Sequence, residues 1–518
     1  MSTIRSLNPA NGELIQEVPT TPIEDLDKIF ERAKRAQISW AALSTRQRAK
    51  HLIQLRETLL NRADELIDII SRENGKPRFE AMANEIVPAV ELIGYFAKKA
   101  PGLLRDKKIR MTLMKHRTSY LNHWPLGVIA VISPWNYPFL LPFGEIVMGL
   151  ITGNAVVFKP SEVTPLIGLK IQELCEEAGI PTDVLQVVTG DGALGAAIIQ
   201  QKPAKIFFTG SVATGKRIMA AAAEHLIPVA LELGGKDAMI VLSDADLDFA
   251  TSAALWGAYS NSGQVCASVE RILVHEKIAQ PFSRMLAHKL SQLRQGPSVG
   301  TENDLGAVTF DRQKRVYERQ LDQARQSGAT FVSGGQFSLD QRYLQPTLIT
   351  GEGVEKLDVY REETFGPIVV LTTFKSVSEA ISKANDSPYG LLASVITRDH
   401  AQGERIAKQL EVGTVTINEV TYTAGLPETP WGGIKDSGFG KKHSDSGLFE
   451  FIHTRHIHKP RSRLFIFKSL WWFPYTDYQY ATFRSLLELY RRHWIDKLKA
   501  LPLFLWNAAQ MIKREKRL

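Results

Sequence analysis

Residues 128–138 decide the fold and read VIAVISPWNYP. The short apolar run 128–132 predicts a strand, and the polar, proline-flanked residues after it predict a loop. Four further apolar runs follow, separated by helical stretches, at residues 155–158, 185–188, 206–208 and 229–231. Strands that alternate with helices predict βαβ units and a parallel sheet, and therefore an α/β fold.

Each of these runs is followed by polar or glycine-rich residues. The five loops are 134–138 (PWNYP), 159–162 (KPSE), 190–192 (GDG), 209–211 (TGS) and 232–236 (ELGGK). Ligands of parallel sheets bind outside the carboxyl ends of the strands. The loops are therefore expected to outline one crevice.

The rest of the chain divides into regions that differ in their pattern of apolar residues. Residues 25–124 carry apolar side chains at helical spacing, except that 107–124 contain alternating pieces that predict an exposed hairpin. Residues 234–434 continue as a second α/β region, and 452–457 form a last extended segment. A chain of 518 residues is expected to hold two or three domains.

Composition predicts a globular protein of a reducing compartment. Hydrophobic residues make up 44% of the chain and charged residues 23%, and the N-terminus lacks a secretory-type apolar segment. Two cysteines cannot form a disulfide framework, and the 12 histidines show no metal-ligand spacing. We therefore expect a cytoplasmic protein without a metal ion.

The net charge of +8 is concentrated at the C-terminus. Residues 459–518 hold 13 Lys and Arg against 4 Asp and Glu, whereas the remainder holds 50 against 51. The same tail contains four of the nine tryptophans. A nucleic-acid partner would require a basic patch on the body of the protein, so none is expected.

Cys266 is the candidate nucleophile. It lies in residues 261–271 (NSGQVCASVER), between a Gly-Gln step and a small residue rather than in an apolar helical stripe. A thiol reacts as the thiolate, so it needs a dipolar niche and a base within reach. Cys175 lies in an apolar stretch and is expected to be a small buried hydrophobe.

Two loops offer groups to a dinucleotide, each with a simpler alternative. Gly210 and Ser211 open a glycine turn that leads into a helix, which is either a phosphate site or an ordinary strand-to-helix turn. Lys159 and Glu162 follow a strand. An acid there bonds the ribose 2′-OH in dinucleotide folds, but a solvated charge pair explains the same spacing.

Two further residues offer groups for catalysis. Glu232 follows a strand and precedes two glycines, so a partly desolvated carboxylate there would serve as a general base. The alternative is an exposed loop acid. Asn136, between two prolines, offers its side-chain amide to a developing oxyanion, or is simply a turn former.

Seven short motifs follow one another along the chain: PWNYP (134–138), FKPSE (158–162), FTGS (208–211), LELGGK (231–236), GQVC (263–266), EETFGP (362–367) and PWGGIKDSG (430–438). In order and spacing they closely resemble the NAD(P)-dependent aldehyde dehydrogenase superfamily. The resemblance runs from about residue 7 to residue 457 and leaves the last sixty residues uncovered.

The resemblance implies an aldehyde dehydrogenase-like fold. Its parts would be a Rossmann-like NAD-binding domain (1–104 and 125–233), an α/β catalytic domain (234–445), a small β oligomerisation arm (105–124 and 446–458) and a helical C-terminal tail (459–518). It also implies a homodimer or homotetramer.

The resemblance assigns roles to the candidate residues. Cys266 would attack the aldehyde to give a thiohemiacetal, with the oxyanion held by Asn136 and the backbone N–H of Cys266. Hydride would pass to the nicotinamide, and Glu232 would activate water to hydrolyse the thioester. The implied cofactor residues are Trp135, Lys159, Glu162, Gly210, Ser211, Glu363 and Phe365. Glu162 favours NAD, although relatives with such a glutamate can also accept NADP.

Three residues depart from the family pattern. Many relatives carry lysine at the position of Glu145 and glutamate at the position of Lys442, so both charges are inverted. If the two side chains meet, an ion pair of exchanged polarity is expected. Gly144 stands where relatives often have an aromatic side chain, which would widen the substrate tunnel or simply reflect helix packing.

The tail is predicted to lie on a membrane surface. Residues 481–500 carry aromatic and aliphatic side chains on one helical face and basic residues mostly elsewhere, as interfacial helices do. The longest apolar run, 500–512, is too short to span a bilayer. The alternative is that the tail packs on its own body or on a partner subunit.

These observations predict oxidation of an apolar aldehyde, such as a medium- or long-chain fatty aldehyde or an apocarotenal. One alternative is a small polar semialdehyde as substrate. Another is a membrane-bound structural or binding protein that keeps the fold without turnover. The presence of both Cys266 and Glu232 argues against loss of turnover.

Overall fold

The computed structural model describes residues 2–297, 302–466, 469 and 471–515. Within them the strands are β1 (Thr3–Leu7), β2 (Leu14–Pro19), β3 (Lys107–Ile109), β4 (Arg117–Pro125), β5 (Val128–Ile132), β6 (Ala155–Lys159), β7 (Leu185–Val187), β8 (Ile206–Thr209), β9 (Val229–Glu232), β10 (Asp237–Val241), β11 (Val269–His275), β12 (Thr330–Ser333), β13 (Thr347–Thr350), β14 (Ile368–Phe374), β15 (Tyr389–Gly390), β16 (Leu392–Ile396), β17 (Thr414–Ile417), β18 (Ile434–Lys435), β19 (Gly438–Phe439) and β20 (Ile452–Pro460).

The α-helices of the same residues are α1 (Leu26–Ala42), α2 (Thr45–Asn61), α3 (Ala63–Asn74), α4 (Arg78–Ala81), α5 (Val87–Leu103), α6 (Leu140–Thr152), α7 (Pro165–Glu177), α8 (Gly192–Gln200), α9 (Val212–Ala223), α10 (Leu247–Tyr259), α11 (Glu276–Leu290), α12 (Asp311–Gln326), α13 (Asp358–Arg361), α14 (Val377–Asn385), α15 (His400–Ala407), α16 (Ser444–Phe449), α17 (Asp477–Leu489) and α18 (Trp494–Glu515). A π-helical turn, Met82–Ile86, joins α4 to α5. Short 3₁₀ turns lie at Ile23–Asp25, Thr182–Val184, Ser260–Gly263, Val354–Lys356, Tyr422–Gly425 and Arg463–Phe465.

The five apolar runs predicted as strands form β5 to β9 of a six-stranded sheet. Its strand order is β19-β9-β8-β5-β6-β7, and all neighbours are parallel except β19, which pairs antiparallel with β9. Strands β5 and β6 are buried along their whole length, because helices cover both faces of the sheet. The predicted α/β fold is confirmed, and the loops after β5, β6, β8 and β9 lie along one edge of the sheet.

A second sheet of seven strands follows in the order β12-β13-β14-β11-β10-β16-β17. It is parallel apart from the β12–β13 pair. Asp237 at the start of β10 pairs with Val269 at the start of β11. Gly235 and Cys266, which precede these strands, are in close approach, since a Cβ on Gly235 would lie 2.6 Å from the Cys266 carbonyl oxygen.

The chain forms two compact units. The larger comprises residues up to Arg105 together with His123–Arg455, and the smaller comprises Asp106–Asn122 together with the residues from His456 onward. The boundary predicted at residue 233/234 between a cofactor and a catalytic domain stays a prediction.

The smaller unit contains a β-hairpin and two helices. Lys107–Ile109 pair antiparallel with residues 119–121, so the predicted hairpin is confirmed. Helices α17 and α18 pack against each other. The single helix predicted over residues 481–500 is wrong, because α17 ends at Leu489 and α18 begins at Trp494. The intervening turn lets the second helix fold back on the first.

Among the described residues, no helix combines the length and the apolar character that crossing a membrane requires. The tail residues 467, 468, 470 and 516–518 lie outside the described residues.

Candidate active site

Cys266 lies in the loop between α10 and β11, immediately after a strained turn. Asn261 and Ser262 both have left-handed backbone angles, with φ of 50° and 55°. Gly263 has φ of 70°, and a Cβ there would collide with the Gly366 carbonyl, so glycine is required. This turn holds Cys266 in place and leaves its side chain half-buried.

The Cys266 thiol is held in its neutral form. Burial raises its pKa to about 12, and the negative charges of Glu232, Asp237 and Glu363 act in the same direction. The positive charge of Lys442 opposes them. Because the neutral thiol is a poor nucleophile, attack requires a nearby base.

Asn136 is fixed beside the nucleophile loop. Its side-chain nitrogen donates a hydrogen bond to the Gln264 carbonyl oxygen at 3.0 Å, two residues before Cys266. The backbone carbonyl oxygen of Asn136 accepts hydrogen bonds from Lys76 Nζ at 2.8 Å and from Asn261 Nδ2 at 3.0 Å. An amide nitrogen carries two hydrogens, so one N–H of Asn136 remains for a ligand.

A buried ion pair that sequence reasoning missed anchors the Asn136 loop. Lys76 Nζ lies 2.7 Å from Glu85 Oε1, and both side chains are fully buried. Glu85 Oε2 accepts the backbone N–H groups of Phe139 and Leu140 at the start of α6, at 2.8 and 3.1 Å. Glu85 within the largely apolar stretch 81–90 is the one signal that could have revealed the pair, since a buried charge requires a partner.

Glu232 ends β9 beside the glycine turn of β8. The side chain is 6% exposed, so the alternative of an exposed loop acid is wrong. Glu232 pairs with Thr209, and its carbonyl oxygen accepts the Gly210 N–H at 3.0 Å. Burial raises the pKa of Glu232 to about 7, while the positive charge of Lys442 acts to lower it. A carboxyl with this pKa exchanges protons near neutral pH.

Glu145 and Lys442 form the ion pair that their inverted charges predict. Lys442 Nζ lies 2.6 Å from Glu145 Oε1, and both side chains are buried. The same ammonium donates to Thr209 Oγ1 at 2.6 Å. Burial raises the pKa of Glu145, and the Lys442 charge opposes that rise. The prediction that the two side chains meet is confirmed.

A largely apolar cavity is lined by Cys266. Its lining includes Pro88, Leu140, Leu141, Met148, Trp256, Val265 and Trp431. Gly144 also borders it, but the space beside this glycine is partly filled, since a Cβ there would lie 3.6 Å from His443 Nε2. Burial lowers the pKa of His443 to about 4, so its imidazole is neutral. The cavity therefore presents mainly apolar surface to its ligand.

Trp135, Glu363 and Phe365 lie near one another beside residues 234–236. The rings of Trp135 and Phe365 meet edge to face with centroids 5.5 Å apart. Glu363 Oε1 accepts the Gly235 N–H at 3.0 Å, and a Cβ on Gly234 would collide with this carboxylate. Burial raises the pKa of Glu363 to about 8. The glycine at 234 is what allows the carboxylate to approach the loop.

Glu270, which sequence reasoning also missed, positions Glu363 and Phe365. Its carboxylate accepts the backbone N–H groups of Thr364 and Phe365, each at 2.8 Å, and forms a buried ion pair with Lys236. Nothing in the sequence around Glu270 distinguishes it from an ordinary strand residue. Its role follows from β11 lying beside β14 in the second sheet.

The remaining predicted cofactor residues lie at the ends of β6 and β8, which flank β5. Lys159 Nζ is 3.5 Å from Glu162 Oε2, with Lys159 buried and Glu162 exposed, so the pair is not fully solvated. Ser211 is the N-cap of α9, and its Oγ accepts the Thr214 N–H at 3.4 Å. The edge of the sheet thus offers a helix N-terminus and a carboxylate within one crevice.

Cys175 is fully buried, and burial raises the pKa of its thiol, as expected of a core residue. Among the described residues, no cluster of three or more His, Cys, Asp or Glu side chains is arranged to hold a metal ion.

Comparison with known proteins gives consistent results. The profile of the Aldehyde dehydrogenase family matches residues 1–457. The chain is 39% identical to the 4,4'-diapolycopene aldehyde oxidase of a Methylomonas species, over 490 residues that cover 94% of this chain and 91% of the relative. It is 36% identical, over 449 residues covering 86% of each chain, to a Mycolicibacterium smegmatis protein provisionally named succinate-semialdehyde dehydrogenase (NADP+).

Solved structures show the same architecture. Betaine aldehyde dehydrogenase from Staphylococcus aureus, crystallised with NAD+, is 32% identical with a TM-score of 0.84, covering 90% of this chain and 94% of that one. An aldehyde dehydrogenase from Brucella melitensis is 32% identical with a TM-score of 0.85, covering 89% and 95%.

Proposed function

Because the chain belongs to the aldehyde dehydrogenase family, we propose that it oxidises an apolar aldehyde to the carboxylic acid with NAD. The observation that carries the proposal is the position of Cys266 on an apolar cavity, with the amide of Asn136 fixed beside its loop and Glu232 close enough to influence its pKa. These residues supply a nucleophile, an oxyanion donor and a base.

Cys266 attacks the aldehyde carbon. The Sγ–C bond forms, the carbonyl π electrons move onto the oxygen, and the thiol proton passes to the Glu232 carboxylate. The free N–H of Asn136 and the backbone N–H of Cys266 donate to the oxyanion. Since burial keeps the thiol neutral, transfer of its proton to Glu232 is part of the step.

The crevice fits a dinucleotide. The N-terminus of α9 with Gly210 and Ser211 would receive the pyrophosphate, and Lys159 with Glu162 the adenosine ribose. Trp135, Glu363 and Phe365 would hold the nicotinamide and its ribose. NAD held by these residues would supply the hydride acceptor for oxidation of the substrate carbon. Exposed Glu162 repels a 2′-phosphate, so NAD is preferred and NADP is the weaker substrate.

Hydrolysis of the thioester completes the reaction. Glu232 first releases the thiol proton to solvent and then takes a proton from water, whose oxygen attacks the acyl carbon. The C–S bond breaks, and the departing Cys266 thiolate regains a proton from Glu232. A base with a pKa of about 7 is suited to both proton transfers at neutral pH.

An apolar substrate is favoured over a small acidic semialdehyde. A cavity for a substrate carboxylate needs a free cation, whereas Lys442, which borders the cavity, is already paired with Glu145. The relative named 4,4'-diapolycopene aldehyde oxidase aligns with 94% of this protein, so the alignment extends past residue 457 into the tail. The relative named for succinate semialdehyde matches 86%.

The proposal is tested with purified protein and a panel of aldehydes, comparing a saturated series of increasing chain length with succinate semialdehyde, each with NAD and NADP. We expect kcat/KM to rise along the saturated series by roughly fourfold per methylene that enters the cavity, with NAD preferred. Higher kcat/KM for succinate semialdehyde would establish the polar alternative. No NADH formation by wild type above a Cys266→Ala control would identify a binding protein without turnover.

The proposal extends to location and assembly. Helices α17 and α18 bury small or polar residues between them, including Thr482, Ser485 and Asn507, and expose large apolar ones, including Leu487 and Trp494. Water-soluble helix pairs bury the apolar face, whereas helices in lipid show this reversed distribution. With the excess of Lys and Arg in residues 459–518, this supports a tail that lies on the cytoplasmic face of a membrane.

The three-residue edge strand β3, exposed throughout, offers unpaired backbone groups to a second copy. It supports a homodimer or homotetramer assembled through the hairpin.

A further inference from the structure

A second cavity adjoins the one at Cys266. It shares three lining residues with the first cavity, namely Asn84, Trp256 and Ser260. These side chains are therefore the wall between the two spaces. A ligand too long for the first cavity would meet the second on passing Trp256.

The second cavity is suited to a hydrocarbon chain. Leu255, Leu293 and Tyr259 contribute apolar surface, and Phe79 stands at its border with 64% of the residue exposed. The acid in its lining nearest the surface, Asp304, is paired with Arg294 at 2.9 Å. A large exposed aromatic side chain beside an apolar cleft indicates a binding surface.

The wall between the cavities is tied to the catalytic loop. Asn84 lies in the π-helical turn Met82–Ile86, and single π turns inside helices recur at functional sites. Glu80, which precedes this turn and lines the second cavity, accepts the backbone N–H of Asn261 at 2.9 Å. The same turn contains Glu85, which anchors the Asn136 loop. Residues 80–85 therefore line both cavities, and they also contact the turn that precedes Cys266 and the loop that carries Asn136.

We propose that the second cavity is a distal subsite for the apolar chain of the aldehyde. The carbons nearest the carbonyl lie in the first cavity, and a long alkyl or polyene chain continues past Trp256 against Leu255, Leu293 and Phe79. This inference rests on the proposed oxidation of an apolar aldehyde. It adds that the hydrocarbon chain of the aldehyde occupies the two cavities one after the other.

The subsite is tested with Phe79→Glu, which places a charge at its border. Because Phe79 is largely exposed, the substitution should leave folding intact. We expect the ratio of kcat/KM for tetradecanal to that for hexanal to fall at least fivefold. The matched control is Phe249→Glu, an exposed phenylalanine on another cavity, which should keep the wild-type ratio. Equal ratios in both variants would overturn the proposal.

A binding measurement separates this inference from the proposed reaction. Calorimetry with tetradecanoate and hexanoate requires no turnover, so it tests the subsite even if wild type oxidises neither aldehyde. We expect wild type and Phe249→Glu to bind tetradecanoate more tightly than hexanoate, and Phe79→Glu to lose at least fivefold of that preference. The subsite would be contradicted if neither variant lost the preference for tetradecanoate, or if wild type had no such preference.

Discussion

Burial sets the protonation of both residues that the proposed reaction depends on. It raises the pKa of Cys266 to about 12 and that of Glu232 to about 7. The thiol is therefore neutral and the carboxyl about half ionised at neutral pH. Activity should rise with pH as Glu232 loses its proton, since only the carboxylate can accept the proton of the thiol or of water.

Lys442 is the residue that modifies this balance most directly. It contacts Glu145 and Thr209, and Thr209 pairs with Glu232 across the sheet. Among the neighbouring charges, that of Lys442 has the largest effect on the pKa of Glu232 and lowers it, whereas the weaker effect of Glu145 raises it. A cation here keeps the base ionised at lower pH than burial alone would allow.

We predict that Glu145→Lys is more harmful than the exchanged pair Glu145→Lys with Lys442→Glu. The single variant leaves two buried ammonium groups side by side and should lower the free energy of unfolding by about 3 to 5 kcal/mol, the usual loss when one partner of a buried pair is removed. The double variant restores an opposite-charge pair. Urea unfolding of wild type and the variants measures the recovery.

The same double variant should change the pH profile. An anion at position 442 raises the pKa of Glu232, so the acid limb of kcat should move to higher pH. Strictly additive losses of stability in the double-mutant cycle, together with an unmoved acid limb, would show that the pair is not coupled to the base.

The reactive groups could be predicted from the sequence more readily than the residues that hold them in position. Cys266, Glu232 and Asn136 stand beside glycines or prolines that mark them as special. Glu85 and Glu270 have no such neighbours, and Lys76 lies between Gly75 and Pro77 without any sign of what it contacts. The importance of all three comes from burial and from groups far away in the chain. Such contacts are set by the packing of whole elements, which a local pattern does not contain.

At the scale of elements, the tail shows where periodicity alone misleads. Apolar residues at helical spacing predicted one helix over 481–500, but the chain turns between Leu489 and Trp494. Glu488 forms ion pairs with Arg484 and Arg491 at the end of α17. The fold-back buries Thr482 and Ser485, whose hydroxyls are satisfied by carbonyls of their own helix. The exposed apolar face is therefore unpartnered in the described residues.

We predict that this face binds lipid. Full-length protein should float with vesicles that contain anionic lipid, and a variant ending at Lys459 should not. The variant Leu487→Ser with Trp494→Ser should float less, because both side chains are exposed and apolar. Flotation should weaken with added salt, since the Lys and Arg excess contributes to it.

The control is Thr482→Ala with Ser485→Ala, which changes the buried face of α17 and leaves the exposed one intact. Equal flotation of full-length and truncated protein would rule out membrane binding through the tail. If light scattering then showed that truncation lowers the oligomer order, the tail would be a subunit contact instead.

At the scale of the whole molecule, the architecture was accessible from sequence because the parallel strands are buried and therefore nearly continuous apolar runs. All five runs between residues 128 and 231 are strands. The hairpin at 107–124 was predictable for a different reason, since its sequence contains short alternating pieces, and β3 pairs antiparallel with β4. The close approach of Gly235 to Cys266, in the loops before β10 and β11, could not be predicted. A glycine in a loop predicts a turn but does not indicate which residue approaches it.

The central claim is that Cys266 carries the acyl group and Glu232 removes it. The direct measurement is the intact mass of Glu232→Gln after incubation with decanal and NAD, followed by peptide mapping. Glu232→Gln lacks the base of both steps, but a thiol ionises far more readily than water, so acylation should be slowed less than hydrolysis. We therefore expect a decanoyl adduct to accumulate slowly on Cys266, with about one NADH per adduct, and to be absent from Cys266→Ala. Formation of NADH and decanoic acid at the wild-type rate by Glu232→Gln, or an unmodified Cys266 in a protein that still oxidises decanal, would contradict the account.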